Sequence, residues 1–385
     1  MTFDLDVPVP AELTAFEVRL YVVGPGAAAE PQQVHAVADL VAGDILVIQG
    51  QSNAVSSQFS GDANENQSAF VRSFGSNVAN GEQTAADLVW RIANGNAGGG
   101  QAAVGQWPLR MASRISAAHE VPIGILNGAH GGQPIGFFQR NDDNVTDGDT
   151  NYGRLLTRLG QAELDQSIRT ILWYQGEADG AAFQVHHDGF LALKEDWAAD
   201  FPGVERIYVT QVRAGCGGDL IRLQEVQRKL ADDFAEITVM STTGLDAHDG
   251  CHYGYEGGYR ELGDRYAALL GRDLYGESPD SGVQPPNPKS AQFAGGGTQV
   301  VLEMRNATST LTFDAGAGAD FVFEGAGATI SGATVMGNKI VLDVSGNASA
   351  ATGLSYLGHT GAGPWVLNEN GIGLLEFFEL PIAPE

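Results

Sequence analysis

Between Asp44 and Tyr275 short apolar runs alternate with stretches of helical period, and this rhythm constrains the fold more than any other feature of the chain. The runs "DILVIQG", "VPIGILNG", "IRTILWYQG", "RIYVTQVR" and "ITVMST" have the continuous apolar character of strands covered on both faces. Between them lie "WPLRMASRISAAHE", "YGRLLTRLGQAELDQS", "GFLALKEDWAADF" and "LIRLQEVQRKLADDF", and "YEGGYRELGDRYAALLGRDLYG" closes the series. Strand followed by helix, repeated, predicts a parallel sheet with helices on both faces: a three-layer α/β/α domain over residues 41–280.

The flanks read differently. In residues 1–40, "AFEVRLYVV" and "VHAVADLV", joined by "GPGAAAEPQQ", predict a short N-terminal β element. After "GESPDSGVQPPNPKS", which reads as a linker, the helical periods vanish. "TQVVLEM", "STLTFDA", "DFVFEG", "ATVMGNKIVLDVSG" and "LSYLG" predict an all-β, sandwich-like accessory domain over 287–385. This region is expected to cover the side of the main domain. Trp365 and Tyr356 are its candidate exposed aromatics for stacking on a sugar.

Charge excludes some partners. The 47 acidic residues against 21 basic ones leave a formal charge of -26, which argues against nucleic acid or an anionic membrane. No apolar run approaches the roughly 18 to 20 residues of a membrane span. The N-terminus lacks the basic and apolar regions of a signal peptide. The expectation is a secreted or periplasmic protein whose signal is missing from this chain, with the cytoplasm as the alternative.

Candidate chemistry gathers where predicted strands end, the edge at which open α/β sheets place their sites. Ser52 lies in "GQSNA", "NGAHGGQPI" follows one strand, "WYQGEAD" ends another, and "DAHDGCHYGYEGGY" follows a third. Serine hydrolysis needs a hydroxyl, a base, a carboxylate that orients the base, and donors for the developing oxyanion. His252 can take the proton of Ser52, and Asp249, three residues away, can fix the imidazole tautomer. The oxyanion donors are the backbone N–H of Ser52, an N–H of the pair Gly131 and Gly132, and the side-chain amide of Gln175. His248 and His252 are spaced as a metal pair, but no third histidine or cysteine accompanies them, so neither metal nor cofactor is expected. Cys216 and Cys251 fall in loops at the same edge, so a bridge between them is expected, with two free thiols as the alternative.

The four blocks "GQSNA", "IGILNGAHGGQPI", "WYQGEAD" and "DGCHYGYEGGYRELGDR" resemble those of SGNH hydrolases, in the sialate O-acetylesterase-like branch of carbohydrate esterases. The resemblance spans about residues 40 to 272 and extends to the N-terminal β stretch and "NENGIGLLEFF". It implies a flavodoxin-like α/β/α sheet, no metal, and removal of acetyl groups from sugar hydroxyls through an acyl-enzyme. It also implies Ser52 as nucleophile, Asp249 and His252 as the rest of the triad, and Gly132 and Gln175 in the oxyanion hole. Asn53, Gly131 and Glu177 are expected to support the site. The family often carries tryptophan where His130 stands; this histidine either binds a sugar hydroxyl or packs over the oxyanion loop. The expected partner is an acetylated carbohydrate or another small acyl ester. A broad short-chain esterase and a non-catalytic glycan-binding or virion-associated protein are the other readings.

Overall fold

The computed structural model describes residues 6–24, 30–279, 282–305 and 310–385. Parts of the N-terminal joining stretch and of the linker, at 25–29 and 280–281, lie outside the described residues. The N-terminal strands β1 (Phe16–Val22) and β2 (Gln32–Leu40) pair as an antiparallel hairpin. The main sheet then begins with β3 (Asp44–Gly50), which leads into the one-turn helix α1 (Ser52–Val55). After an insertion come α3 (Gln106–His119), β8 (Ile123–Asn127), α4 (Asn151–Gln161), β9 (Ile168–Tyr174) and α5 (Phe183–Asp200). The series closes with β10 (Arg206–Thr210), α6 (Ile221–Asp233), β11 (Ile237–Met240) and α7 (Arg260–Tyr275).

The insertion is more structured than the sequence suggests. It holds β4 (Val71–Phe74), β5 (Ser76–Asn77), α2 (Gly81–Ala86), β6 (Trp90–Ile92) and β7 (Gly100–Gln101). The central sheet runs β11-β10-β9-β3-β8-β4-β6, parallel except for the edge strand β6, which pairs antiparallel with β4. These short strands lack a long periodic run, and pairing supplies what local pattern does not: β4 pairs with β8, β6 with β4, and β5 with β7 in a separate two-stranded ribbon.

Period-two alternation in β3 and β9 sorts their side chains between two cores. Leu46, Ile48, Leu172 and Tyr174 face one layer with Trp107, Met111 and Leu270 of α3 and α7. Val47, Ile171 and Trp173 face the other with Leu155, Phe190 and Trp197 of α4 and α5. Each such fully buried side chain is worth roughly 1.5–3 kcal/mol relative to exposure. Helix α4 owes its register to Tyr152, Leu155 and Leu159, and its start to Thr150, whose hydroxyl accepts the Gly153 N–H at 3.0 Å. Arg158 on the same helix is buried and donates to the carbonyls of Phe74 and Asn127, tying the ends of β4 and β8 together. Burial lowers its pKa to about 10.

The C-terminal region is β-rich, with a five-stranded sheet, a three-stranded sheet and a two-stranded pair around a separate core of Val300, Leu302, Leu342, Phe321 and Phe377. Tyr356 belongs to that core and is fully buried, so it offers no sugar platform; its ring packs on Phe321 at 4.7 Å. Trp365 is partly exposed. Among the described residues no helix is long and apolar enough to cross a membrane.

Candidate active site

Strand order places the site. β3 runs between β9 and β8, so the chain leaves its carboxyl end at the point where successive connections diverge. At Gly50 the φ is 129°, and a Cβ there would meet the Tyr174 carbonyl at 2.1 Å, which leaves room for glycine alone. Gln51 turns the chain into α1, and Ser52 is the first helical residue. Asn127, at the end of β8, donates to the Ala54 carbonyl at 2.9 Å and the Val104 carbonyl at 2.8 Å, and accepts the Ala129 N–H. One buried amide thus joins the serine turn to the glycine loop.

His252 comes from the loop after β11. Its Nε2 lies 3.0 Å from the Ser52 Oγ, across 200 residues of sequence. Its Nδ1 is 3.6 Å from Asp249 Oδ2. Asp249 Oδ1 accepts the backbone N–H groups of Cys251 at 2.9 Å and His252 at 2.7 Å, and these bonds hold its carboxyl below the usual range. Cys251 is joined to Cys216 by a disulfide, which ties this loop to the one after β10. His248 does not pair with His252; its Nε2 lies 2.7 Å from Arg213, a buried side chain that also donates to the Gly250 carbonyl at 2.7 Å and to the Thr360 carbonyl of the C-terminal region.

The expected supporting residues divide. Asn53 is fully buried and donates to Glu177 Oε1 at 2.8 Å and to the Cys251 carbonyl at 3.2 Å, while its own Oδ1 accepts from Tyr259. It bridges the serine turn and the histidine loop. Burial raises the Glu177 carboxyl above the usual range, against the pull of the Asn53 bond, and its Oε2 is buried without a hydrogen bond. Gly131 stands against Ser52, since a Cβ on it would lie 3.8 Å from the serine Cβ; Gly132, with φ 72°, has open space around it. The amides of Ser52, Gly131 and Gly132 donate to no backbone carbonyl among the described residues. Gln175 faces elsewhere: its Nε2 donates to Asp179 at 2.9 Å and to the Gln133 carbonyl at 3.2 Å. His130 packs its ring on Phe137 at 5.0 Å, and burial, followed by the Arg154 charge, lowers its pKa.

A cavity of about 260 Å³ opens at Ser52, walled by Val55, Ala79, Gly98, Ala129 and His130. Two residues outside the motif blocks reach it. Phe59 stacks on His252 with centroids 4.7 Å apart and is half exposed. Asn77 donates to the Ala129 carbonyl at 3.2 Å. Neither carried a local signal beyond its residue type. Larger concavities of about 750 and 1020 Å³ lie elsewhere and contain neither Ser52 nor His252; the second borders the Ser52 cavity only through Ala79.

A doubly covered parallel sheet with a serine and a histidine in contact beyond its strand ends is the layout of an SGNH-like hydrolase. The chain belongs to the carbohydrate esterase family of sialic acid-specific acetylesterases, whose sequence profile matches residues 42–271. No curated protein sequence matches it. Among solved structures, a carbohydrate acetylesterase from Xanthomonas citri superposes with a TM-score of 0.68 over 90% of this chain and 83% of its own, at 22% identity, and shares the fold. A protein from Arabidopsis thaliana is similar at a TM-score of 0.47 and 19% identity, over 60% of this chain and 99% of that one. A family 2 carbohydrate esterase with a carbohydrate-binding domain, from Myceliophthora fergusii, is similar at 0.36 and 10% identity, over 64% and 73%.

Proposed function

We propose that the chain is a serine esterase that removes O-acetyl groups from a carbohydrate through an acyl-enzyme. The observation that carries this reading is the 3.0 Å contact between His252 Nε2 and Ser52 Oγ. His252 takes the proton as Ser52 Oγ bonds to the acetyl carbonyl carbon. The resulting oxyanion is met by the Ser52 amide and an N–H of the Gly131–Gly132 pair. Collapse breaks the bond to the sugar oxygen, which leaves with the proton from His252. Water, deprotonated by the same imidazole, then attacks the acyl carbon; acetate departs and the Ser52 hydroxyl is restored. Asp249 steadies the imidazolium, and Asn53 and Glu177 hold the two reacting loops together. The small residues around the cavity suit a short acyl group, with the sugar toward the open side at Phe59.

The test is acetate release from a panel of acetylated glycans and from p-nitrophenyl acetate, for the wild type and Ser52→Ala. Serine-dependent release from a glycan is the expected result. Release from the small ester alone points to a broad short-chain esterase, and release from neither points to a glycan-binding protein without turnover. A fully active Ser52→Ala protein would sink the mechanism.

A further inference from the structure

Behind the glycine loop lies a second acid–histidine pair that the mechanism above does not use. Asp179 and His186 are buried, with side-chain exposures of 3% and 0%. His186, on the first turn of α5, directs Nδ1 at Asp179 Oδ2 from 2.9 Å, and its Nε2 is buried without a hydrogen bond. The same carboxylate accepts the Gln175 Nε2–H at 2.9 Å and the Ile135 backbone N–H at 3.0 Å. Gln175 passes the connection on to the Gln133 carbonyl. One carboxylate therefore fastens the end of β9, the start of α5 and the stretch that follows Gly131 and Gly132.

Three features argue that this is more than packing. A buried carboxylate is costly unless several donors meet it, and an apolar pair would fill the space at less cost. Burial pushes Asp179 up, but the bonds from His186, Gln175 and Ile135 outweigh it and hold the carboxyl below its ordinary value, so the charge is kept. Finally, the Gln175 nitrogen has two protons and faces three acceptors, Asp179, the Gln133 carbonyl and Gln51 Oε1 at 3.4 Å. Its amide is thereby oriented and has no proton left for an oxyanion.

We propose that Asp179 and His186 are positioning residues for the oxyanion loop: through Gln175 and the Ile135 N–H they hold residues 131–135, and with them the amides of the Gly131–Gly132 pair, in register with Ser52. This rests on the reading of Ser52 as the nucleophile. Asp179→Asn separates position from bulk. The new amide can still accept from Ile135, but its NH2 then confronts the donors of Gln175 and His186, and turning Gln175 over would set its oxygen against the Gln133 carbonyl.

The test uses the full chain with p-nitrophenyl acetate and with diethyl p-nitrophenyl phosphate, whose phosphorus bonds to the serine oxygen as p-nitrophenolate leaves. Nitrophenolate released in that burst counts working sites, so rates are expressed per site. Asp179→Asn is expected to lower kcat by about 10- to 100-fold with KM within about twofold, and to slow phosphorylation in parallel. His186→Leu should fall similarly. His186→Asn, whose amide can stand where Nδ1 stood, should recover most of that loss. Adding Gln175→Ala to Asp179→Asn should cost little more, because the two act as one unit. Per-site rates within about twofold of wild type in both Asp179→Asn and His186→Leu, whatever their melting temperatures, would overturn the proposal. Failure of wild-type Ser52 to be phosphorylated would instead remove the nucleophile reading beneath it.

Discussion

Asp249 accepts the backbone N–H of His252 at 2.7 Å through Oδ1, while its Oδ2 stands 3.6 Å from Nδ1 of the same residue's ring. The carboxylate shapes the main chain of the histidine loop first and orients the imidazole second. Asparagine at 249 keeps a carbonyl oxygen for the two backbone donors and loses only a charge that is 59% exposed. Asp249→Asn is therefore expected to lower kcat by about 10- to 100-fold, well short of the roughly 10⁴ seen for a buried triad aspartate. His252→Ala should abolish turnover. Steady-state rates on p-nitrophenyl acetate, with circular dichroism as a check on folding, distinguish the two.

The Cys216–Cys251 bridge closes a loop of sequence separation 35 and ends one residue before His252. Chain entropy alone predicts up to roughly 4 kcal/mol of stabilisation from a loop of this size. The double variant Cys216→Ala/Cys251→Ala should melt several degrees lower and lose activity at temperatures where the fold persists. Calorimetry beside rate measurements over the same range checks this, and unchanged activity below the transition would show that the bridge serves stability alone.

Phe59 lies nearly parallel to the His252 ring, with an interplanar angle of 15°. Such a pair contributes about 0.5–1.5 kcal/mol. Phe59→Ala should reduce kcat/KM on the small ester about three- to tenfold by loosening the imidazole. If the half-exposed ring also meets sugar, the loss on an acetylated glycan will be larger. The ratio of the two losses is the readout.

Glu376 joins the C-terminal region to the main domain: buried, it accepts from the Thr243 hydroxyl at 2.6 Å and feels the charge of Arg213. Burial raises its pKa to about 7, above an ordinary value of 4.5. A raised acid binds its proton more tightly in the folded state, so its contribution is fully present below pH 4.5 and is lost as pH rises through about 7. The loss is on the order of 3 kcal/mol. Urea midpoints should fall between about pH 5 and 8, and Glu376→Gln should flatten that slope; equal slopes in the two proteins would reject the assignment.

Much of this molecule was legible from its residues. The βα rhythm placed the strands and helices of the main sheet, because burial on both faces demands continuous apolar runs that survive without knowledge of neighbours. The blocks around Ser52, Gly131 and Gly132, and Asp249 with His252 were visible because glycine-rich strand ends and short polar spacings are local signals. The insertion strands β4 to β7 were not, since two- to four-residue strands gain their order from pairing rather than propensity. Tyr356, read as a surface aromatic, is a core residue, because its strand is the middle one of three and is covered on both faces, which only tertiary packing decides.

By itself, the sequence determined the layered α/β architecture and the edge where polar residues collect, since both follow from periodicity along the chain. Tertiary structure alone decided which side chains meet there. It set His252 against Ser52, turned Gln175 toward Asp179, and brought Arg213 beneath Gly250 and Phe59 over the imidazole. Hydrogen bonds and ring contacts act over a few ångströms between residues distant in sequence, so their partners are chosen only when the strands are in register and the loops have closed.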